Sequence, residues 1–425
     1  MSIASYLLVA LLATAPVAVI ANDGYVQPAI LPLIALTLAF AATFATSPEI
    51  ALAKQTLKRF AVAILVPIVW MIVQIIPSPA SSLTNPIWSS TAIALNAPSL
   101  SGHISIDPGA TLHSLVWYLA VLAVIVSTVL VTKDRRRAEL TLLILTAAAT
   151  LVALAFLLGR ADQLATTSGT AALMALLGAL ANGAVITMAV ERHLNHSDAI
   201  FPVSAPRLLQ MLLGVCGIAV SVGAIVALGQ RQLLSLTGLG FALMLIVAVM
   251  RRLGLRPWPA TILAVILIAA TGAGLARSAA STDLLRLAES STDESLAIAQ
   301  RALSGSPWVG NGVGSFAEIS RIYRDFGSSG PVMPPSTAVS VAIEWGRPAL
   351  LVLAALALQL FLFNLRGAVG RGRDSFFASL AAAGVLCAVC ASFVEPSLLT
   401  SGAQIVLAVM IGLGISQSTG RTSAA

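Results

Sequence analysis

Charge is scarce in this chain. Of its 425 residues only 10% are Asp, Glu, Lys or Arg, where a soluble domain carries roughly 25%. That shortage excludes a soluble enzyme and a charged, disordered chain. Aromatic residues make up 5% of the chain, and there are three cysteines, Cys216, Cys387 and Cys390, all inside apolar runs. An oxidised extracellular framework would need more cysteines, placed in loops. Cys387-Ala388-Val389-Cys390 has redox-motif spacing, but thiols buried in an apolar span behave as small hydrophobes. Histidine occurs four times, with no His, Asp and Glu cluster at metal-ligand spacing and no readable Ser/His/Asp set, so neither a metal nor a cofactor is expected.

What the chain has in abundance is apolar sequence. Hydrophobic residues make up 58% of it and the mean hydropathy is +0.95. Long uncharged runs lie near 3–21, 27–47, 60–77, 112–132, 140–159, 168–190, 208–228, 232–250, 257–276, 348–365, 376–394 and 399–417, each close to the ~20 residues that cross a bilayer as a helix. The expected fold is therefore all-α, a polytopic transmembrane helical bundle of about twelve spans. The first run has no basic stretch ahead of it and no small-residue cleavage site after it, so it is expected to be retained as a span.

The net charge of +7 would suggest a nucleic-acid partner in a soluble protein, but a polytopic chain uses cations to set its topology. No nucleic-acid partner is expected. Sixteen of the 24 Lys and Arg residues fall in the even-numbered loops and the C-terminal tail, eight in the odd-numbered loops, and acidic residues divide six against eleven the other way. Basic loops stay inside, so both termini are expected on the cytoplasmic face. Three regions follow: spans 1–9 over 1–276 with an outer segment at 78–111, a large outer loop over 277–347, and spans 10–12 with a short tail over 348–425. The large loop carries a helix-like apolar pattern at Leu284, Leu285, Leu287, Leu296, Ile298, Ala299 and Leu303. It is expected to fold as one or two short helices over the outer mouth of the bundle.

Polar groups that could carry chemistry gather on that outer face. Ser306-Pro307-Trp308-Val309-Gly310-Asn311-Gly312-Val313-Gly314-Ser315-Phe316 alternates three glycines, Gly310, Gly312 and Gly314. Such a run frees amides to approach an anion, and equally suits a turn between two loop helices. Ser336 begins a helix that reaches Glu344-Trp345-Gly346-Arg347-Pro348, where Gly346 and Pro348 mark a break before the next span. Glu344 and Arg347, three residues apart, would share a face at the membrane interface, as an ion pair or as contacts to a polar substrate. Arg231, in the turn Gly229-Gln230-Arg231-Gln232, either anchors a helix end in the headgroups or offers its fork of donors to a phosphate. In the first outer segment Trp88 reads as an interface anchor, Asp107-Pro108-Gly109 reads as a turn, and Thr111 as the start of a helix. His103 and His113 face out, while His193 and His196 fall on the inner side.

These elements, in this order, resemble the bacterial O-antigen ligase and polymerase superfamily, whose members handle lipid-linked glycans on the periplasmic face. Members have a similar number of spans, a large periplasmic loop between the ninth and tenth, a Pro-x-x-Gly-x-Gly-x-Gly-x-Phe-like element and a Glu-x-Gly-like break. Here these read Pro307 to Phe316 and Glu344-Trp345-Gly346. The family's turn after the seventh span is similar to Gln230-Arg231-Gln232, and its Ser-x-Asp-Pro segment to Ser105-Ile106-Asp107-Pro108. The family's loop histidine, thought to take the acceptor's proton, is replaced here by Pro335, and its upstream arginine aligns near Thr292, flanked by Arg286 and Arg301.

The resemblance implies transfer or polymerisation of an oligosaccharide from an undecaprenyl pyrophosphate carrier, at the periplasmic face of the bacterial inner (cytoplasmic) membrane, with no nucleotide or metal. The implied partners are a lipid-linked glycan donor, a glycan or lipid acceptor, membrane lipids and other polysaccharide-assembly membrane proteins. Arg231, then Arg301 and Arg286, would clamp the pyrophosphate, with Arg347 and the loop glycines Gly310, Gly312 and Gly314 beside them. Since proline cannot accept a proton, the base would be Glu344, His103 or His113. The competing readings are a non-catalytic glycan-binding relative and a twelve-span transporter. A transporter would place ionisable residues near the midplane.

Overall fold

A computed structural model of the protein describes residues 3–20, 23–78, 83–97, 99–158, 168–194, 205–253, 285, 288, 292–325, 332–370 and 374–419. The ninth apolar run, 257–276, and Arg286 lie outside the described residues. Among those described, every regular element is helical. In chain order they are α1 (Ile3–Ile20), α2 (Asp23–Thr43), α3 (Ser47–Arg59), α4 (Ala61–Ile75), α5 (Pro86–Ala94), α6 (Pro108–Val131), α7 (Arg135–Leu157), α8 (Ser168–Leu194), α9 (Ala205–Ala227), α10 (Arg231–Arg252), α11 (Asp293–Gly305), α12 (Phe316–Ile322), α13 (Thr337–Glu344), α14 (Arg347–Gly370), α15 (Ser375–Val394) and α16 (Ser401–Thr419).

Nine of these described helices, α2, α6 to α10 and α14 to α16, are long and apolar enough to cross a membrane, and the pair α3 and α4, bent by 64°, makes a tenth if it is one span. Helix is what such runs must form in lipid, because each backbone amide has to find its partner within the segment. α1 is a shorter apolar helix on the first run.

The bundle is built around α8, α15 and α16, whose side chains are largely buried, while α2, α9 and α14 turn most of their surface outward. Close approach depends on small residues. A Cβ on Gly384 of α15 would come within 2.7 Å of Met410 Cε, and one on Gly414 of α16 within 2.3 Å of Ala381 Cβ. Small faces of this kind are how helices gain contact in lipid, where no hydrophobic drive separates them from the solvent.

The bundle has two chemically distinct ends. At one, Arg135 pairs with Glu139 at 2.9 Å and Asp374 at 3.1 Å, Arg192 also meets Glu139, and Arg251 meets Glu191 and Ser375. This network ties together the ends of α7, α8, α10 and α15. At the other end lie α5 and α11 to α13. The large loop thus holds three short described helices where one or two were expected. Leu285, Ala299, Ala302, Phe316, Ile319, Val339 and Ile343 form a small core of their own. The first outer segment also differs in detail. α6 begins at Pro108, ahead of Thr111, because Asp107 caps it: Oδ1 accepts from Gly109 N at 2.9 Å and Ala110 N at 3.0 Å. Proline at the first helical position loses no hydrogen bond there.

Candidate functional site

Three stretches remote in sequence are knitted together at this second end. The centre is the junction of α13 with α14, where Gly346 at φ +95° reverses the backbone. The glycine loop 306–316 lies against that junction. Gly312 N donates to Glu344 O at 3.0 Å and Asn311 N to Ile343 O at 3.1 Å. Gly314 N donates to Glu344 Oε2 and Phe316 N to Glu344 Oε1, both at 3.0 Å. The approach leaves no room for side chains: a Cβ on Gly312, at φ +106°, would sit 2.1 Å from Ser105 Oγ.

The loop amides are therefore already occupied. Gly310 N donates to Pro307 O at 3.0 Å, so none of the three glycine amides expected to face a ligand anion is available for one. The carboxyl group that this loop cradles belongs to the chain itself. Glu344 is 6% exposed, and burial pushes its carboxyl up to about 7 against the amides of Gly314 and Phe316 and a Ser340 hydrogen bond, which favour the ionised form. Both of its oxygens accept from backbone amides, so the carboxyl anchors the loop.

Gln74, which the sequence reading passed over, completes the junction from α4. Its Nε2 donates to Val309 O at 3.2 Å and Glu344 O at 3.1 Å, and its Oε1 accepts from Val313 N at 3.2 Å. Trp70, one turn earlier, donates to Trp345 O at 2.9 Å. The signal was present in the sequence: Gln74 is a lone amide in the otherwise apolar run Ala61–Ile75, and a polar group inside a span marks a contact that must be satisfied. Asn311 makes the third tie, accepting from Asn85 Nδ2 at 3.0 Å and donating to Ser306 Oγ at 2.8 Å.

Beneath the loop, α2, α6, α13 and α16 enclose a chamber of about 470 Å³. Glu344, His113, Tyr118, Ser340, Thr337, Gln27 and Gln404 supply its polar wall, and Met333 and Pro334 its rim. Pro335, which stands where the family resemblance would place a histidine, follows that rim directly. His113 approaches the same chamber from α6, with Nε2 2.6 Å from Gln27 Oε1. Gln27 Oε1 accepts from Nε2 in the tautomer that carries its proton there, the tautomer that leaves the lone pair on Nδ1.

The remaining expected residues are placed elsewhere. His103 is tied by Nδ1 to Ile75 O at 2.7 Å, its ring 5.1 Å from that of Trp88, and does not line the chamber. Trp88 donates Nε1 to Ser105 O at 3.0 Å, so it braces this segment in addition to any interface role. Arg301 makes a two-pronged pair with Asp325 at 2.8 Å and donates to Tyr323 O at 2.9 Å, which holds Asp325 below the usual carboxylate range. Arg347 does not meet Glu344, because the reversal at Gly346 breaks the helical register between them. It donates to Leu303 O at 2.8 Å and lies 5.9 Å from the Trp308 ring centre. Arg231 opens α10, is exposed, and is not among the lining residues. No Lys or Arg is present among the described lining residues, and no group of three His, Cys, Asp or Glu among the described residues is placed to hold a metal ion.

No model of a known protein family matches this chain, and no curated protein matches it.

Proposed function

We propose that this protein takes a polyprenyl pyrophosphate-linked glycan at the outer face of a bacterial inner membrane and transfers it to a hydroxyl acceptor, with His113 as the base. The observation that carries the reading is the chamber, which brings an oriented histidine, amide side chains and aromatic rings together under the loop, beside the lipid-facing wall formed by α4 and α14. The donor needs little activation, since its leaving group is already a stable anion. His113 Nδ1 would take the proton of the acceptor hydroxyl while the acceptor oxygen bonds to the anomeric carbon. The bond from that carbon to the pyrophosphate oxygen breaks, and its electron pair leaves with the pyrophosphate. Gln27 keeps the ring in the required tautomer. The lipid tail would leave sideways along Leu65, Trp70, Pro348 and Val352.

Binding without turnover is a second reading, favoured by the absence of a cation among the described lining residues, since a pyrophosphate site calls for one. Transport is disfavoured by the distribution of charge, because Asp, Glu, Lys and Arg in the described long helices sit near their ends.

The test is a turnover assay with purified protein in proteoliposomes, supplied with a lipid-linked oligosaccharide and a sugar acceptor. We expect His113→Ala to lower turnover by roughly 10²–10⁴-fold, the usual contribution of a positioned base, with donor retention unchanged. Gln27→Ala should lower it less. Full turnover in His113→Ala would remove the assigned base. A native protein that retains donor yet forms no product under any acceptor would support binding alone.

A further inference from the structure

A second apolar cavity runs along the bundle away from the chamber, toward α3. It has a volume of about 260 Å³ and is walled by α3, α4, α6, α14 and α16, with Thr56 and Leu57 at its far end and Ile125, Val129, Leu353 and Leu360 along its length. The α3 end is distinctive in charge. α3 puts Ala53, Thr56 and the adjoining Phe60 inward, while Lys54, Lys58 and Arg59 are exposed on the same two turns. None of these three cations has an ion-pair partner among the described residues, and the helix's single acid, Glu49, accepts from Thr46 N at 2.8 Å.

We propose that this groove is a binding site for one anionic glycerophospholipid of the leaflet opposite the chamber, with its phosphate on Lys54, Lys58 and Arg59 and an acyl chain along the groove. An amphipathic basic helix at a bilayer surface attracts anionic headgroups. The α4 helix, at ~1.5 Å per residue, separates the α3 end from the Gln74 end by about 20 Å, so an acyl chain entering at α3 runs toward the chamber within its own half of the ~30 Å hydrocarbon layer. The donor's polyprenyl tail is the competing occupant, because Tyr118, Val121 and Leu353 border both cavities. A tail entering from the chamber would leave the three cations without an anion, which is why the phospholipid is preferred. The inference needs only the membrane setting and stands apart from the glycan reading.

Native mass spectrometry on the full-length protein, delipidated in detergent and titrated with phosphatidylglycerol or phosphatidylcholine of the same chain composition, tests it. We expect saturable binding of phosphatidylglycerol, about tenfold tighter than phosphatidylcholine, and a loss on the order of a hundredfold in a Lys54→Ala, Lys58→Ala, Arg59→Ala triple variant, given the attraction per basic residue at a charged leaflet. Ala357→Trp, which fills the groove wall, should weaken both lipids while leaving the cations in place. The exposed lysine and arginine changes should leave the melting temperature in detergent unaltered. Equal binding in the triple variant, or no preference between the two lipids, overturns the headgroup assignment. One-for-one displacement of phosphatidylglycerol by a polyprenyl phosphate assigns the groove to the donor and also overturns it.

Discussion

At Glu344 two opposing effects act on one carboxyl group. The amides of Gly314 and Phe316 favour its charged form, and burial favours its neutral form, with burial the larger. Its folded pKa, about 7, thus lies above the ordinary value of 4.5 for the free group. The stability it contributes is present in full below 4.5 and is lost as pH rises through about 7, an effect on the order of 3 kcal/mol. Thermal unfolding followed in detergent between pH 5 and 8 should show the melting point falling with rising pH, with the slope flattened in Glu344→Gln. That variant is also expected to cost about 1–3 kcal/mol at pH 5, since a carboxamide must turn an NH2 toward an amide donor. A melting point that rises with pH in the native protein would reverse the sign assigned here. Glu344 and His113 were both visible in the sequence as titratable outer-face groups, but sequence spacing carries no information on which oxygens meet backbone amides or which ring nitrogen meets Gln27.

Among the elements, the break between α13 and α14 was legible because Gly346 and Pro348 punctuate an apolar run and Ser336 starts it, and Ser336 Oγ does accept from Val339 N at 3.3 Å. What the glycine must accommodate was not legible. A Cβ at Gly346 would stand 2.1 Å from Trp308 O, at a backbone φ of +95°. Gly346→Ala should therefore destabilise by at least the roughly 1–3 kcal/mol of a strained backbone position, read as a fall in melting temperature. Gly238, inside α10 with nothing within 4 Å of its Cβ position, is the control. Alanine there should be neutral or stabilising by up to about 1 kcal/mol. Equal falls in the two variants would count against the tight interlock of loop and break. The pairing of Arg301 with Asp325 is a further element-level result that spacing could not show, because the two residues meet only when the chain after α12 folds back.

Over the whole molecule, the described charged groups gather toward the two ends of an apolar bundle. The ion network of Arg135, Glu139, Arg192, Glu191 and Arg251 occupies the end that the basic-loop count assigns to the cytoplasm, and the glycine loop with its chamber occupies the other. Cysteine labelling in a variant lacking Cys216, Cys387 and Cys390 tests that orientation. A membrane-impermeant maleimide should label Arg321→Cys in intact spheroplasts and Lys54→Cys only after permeabilisation. The reverse pattern would invert the molecule and place the chamber on the inner side.

The sequence by itself determined the class of this protein, because burying uncharged runs of about twenty residues in lipid allows little besides helices. It also marked the sites of reversal, since Gly346 and the alternating glycines have few other uses. Tertiary structure alone decided which of the polar groups share a space. Gln74 is joined to Glu344, and Asn85 to Asn311 of the glycine loop, across more than two hundred residues of chain. Arg301 and Arg347 find partners outside the chamber, while His113 and Gln27 find one another within it. The physical reason is that hydropathy is a local property of a run, readable one segment at a time. The partner of a hydrogen-bonding group depends instead on how distant helices pack.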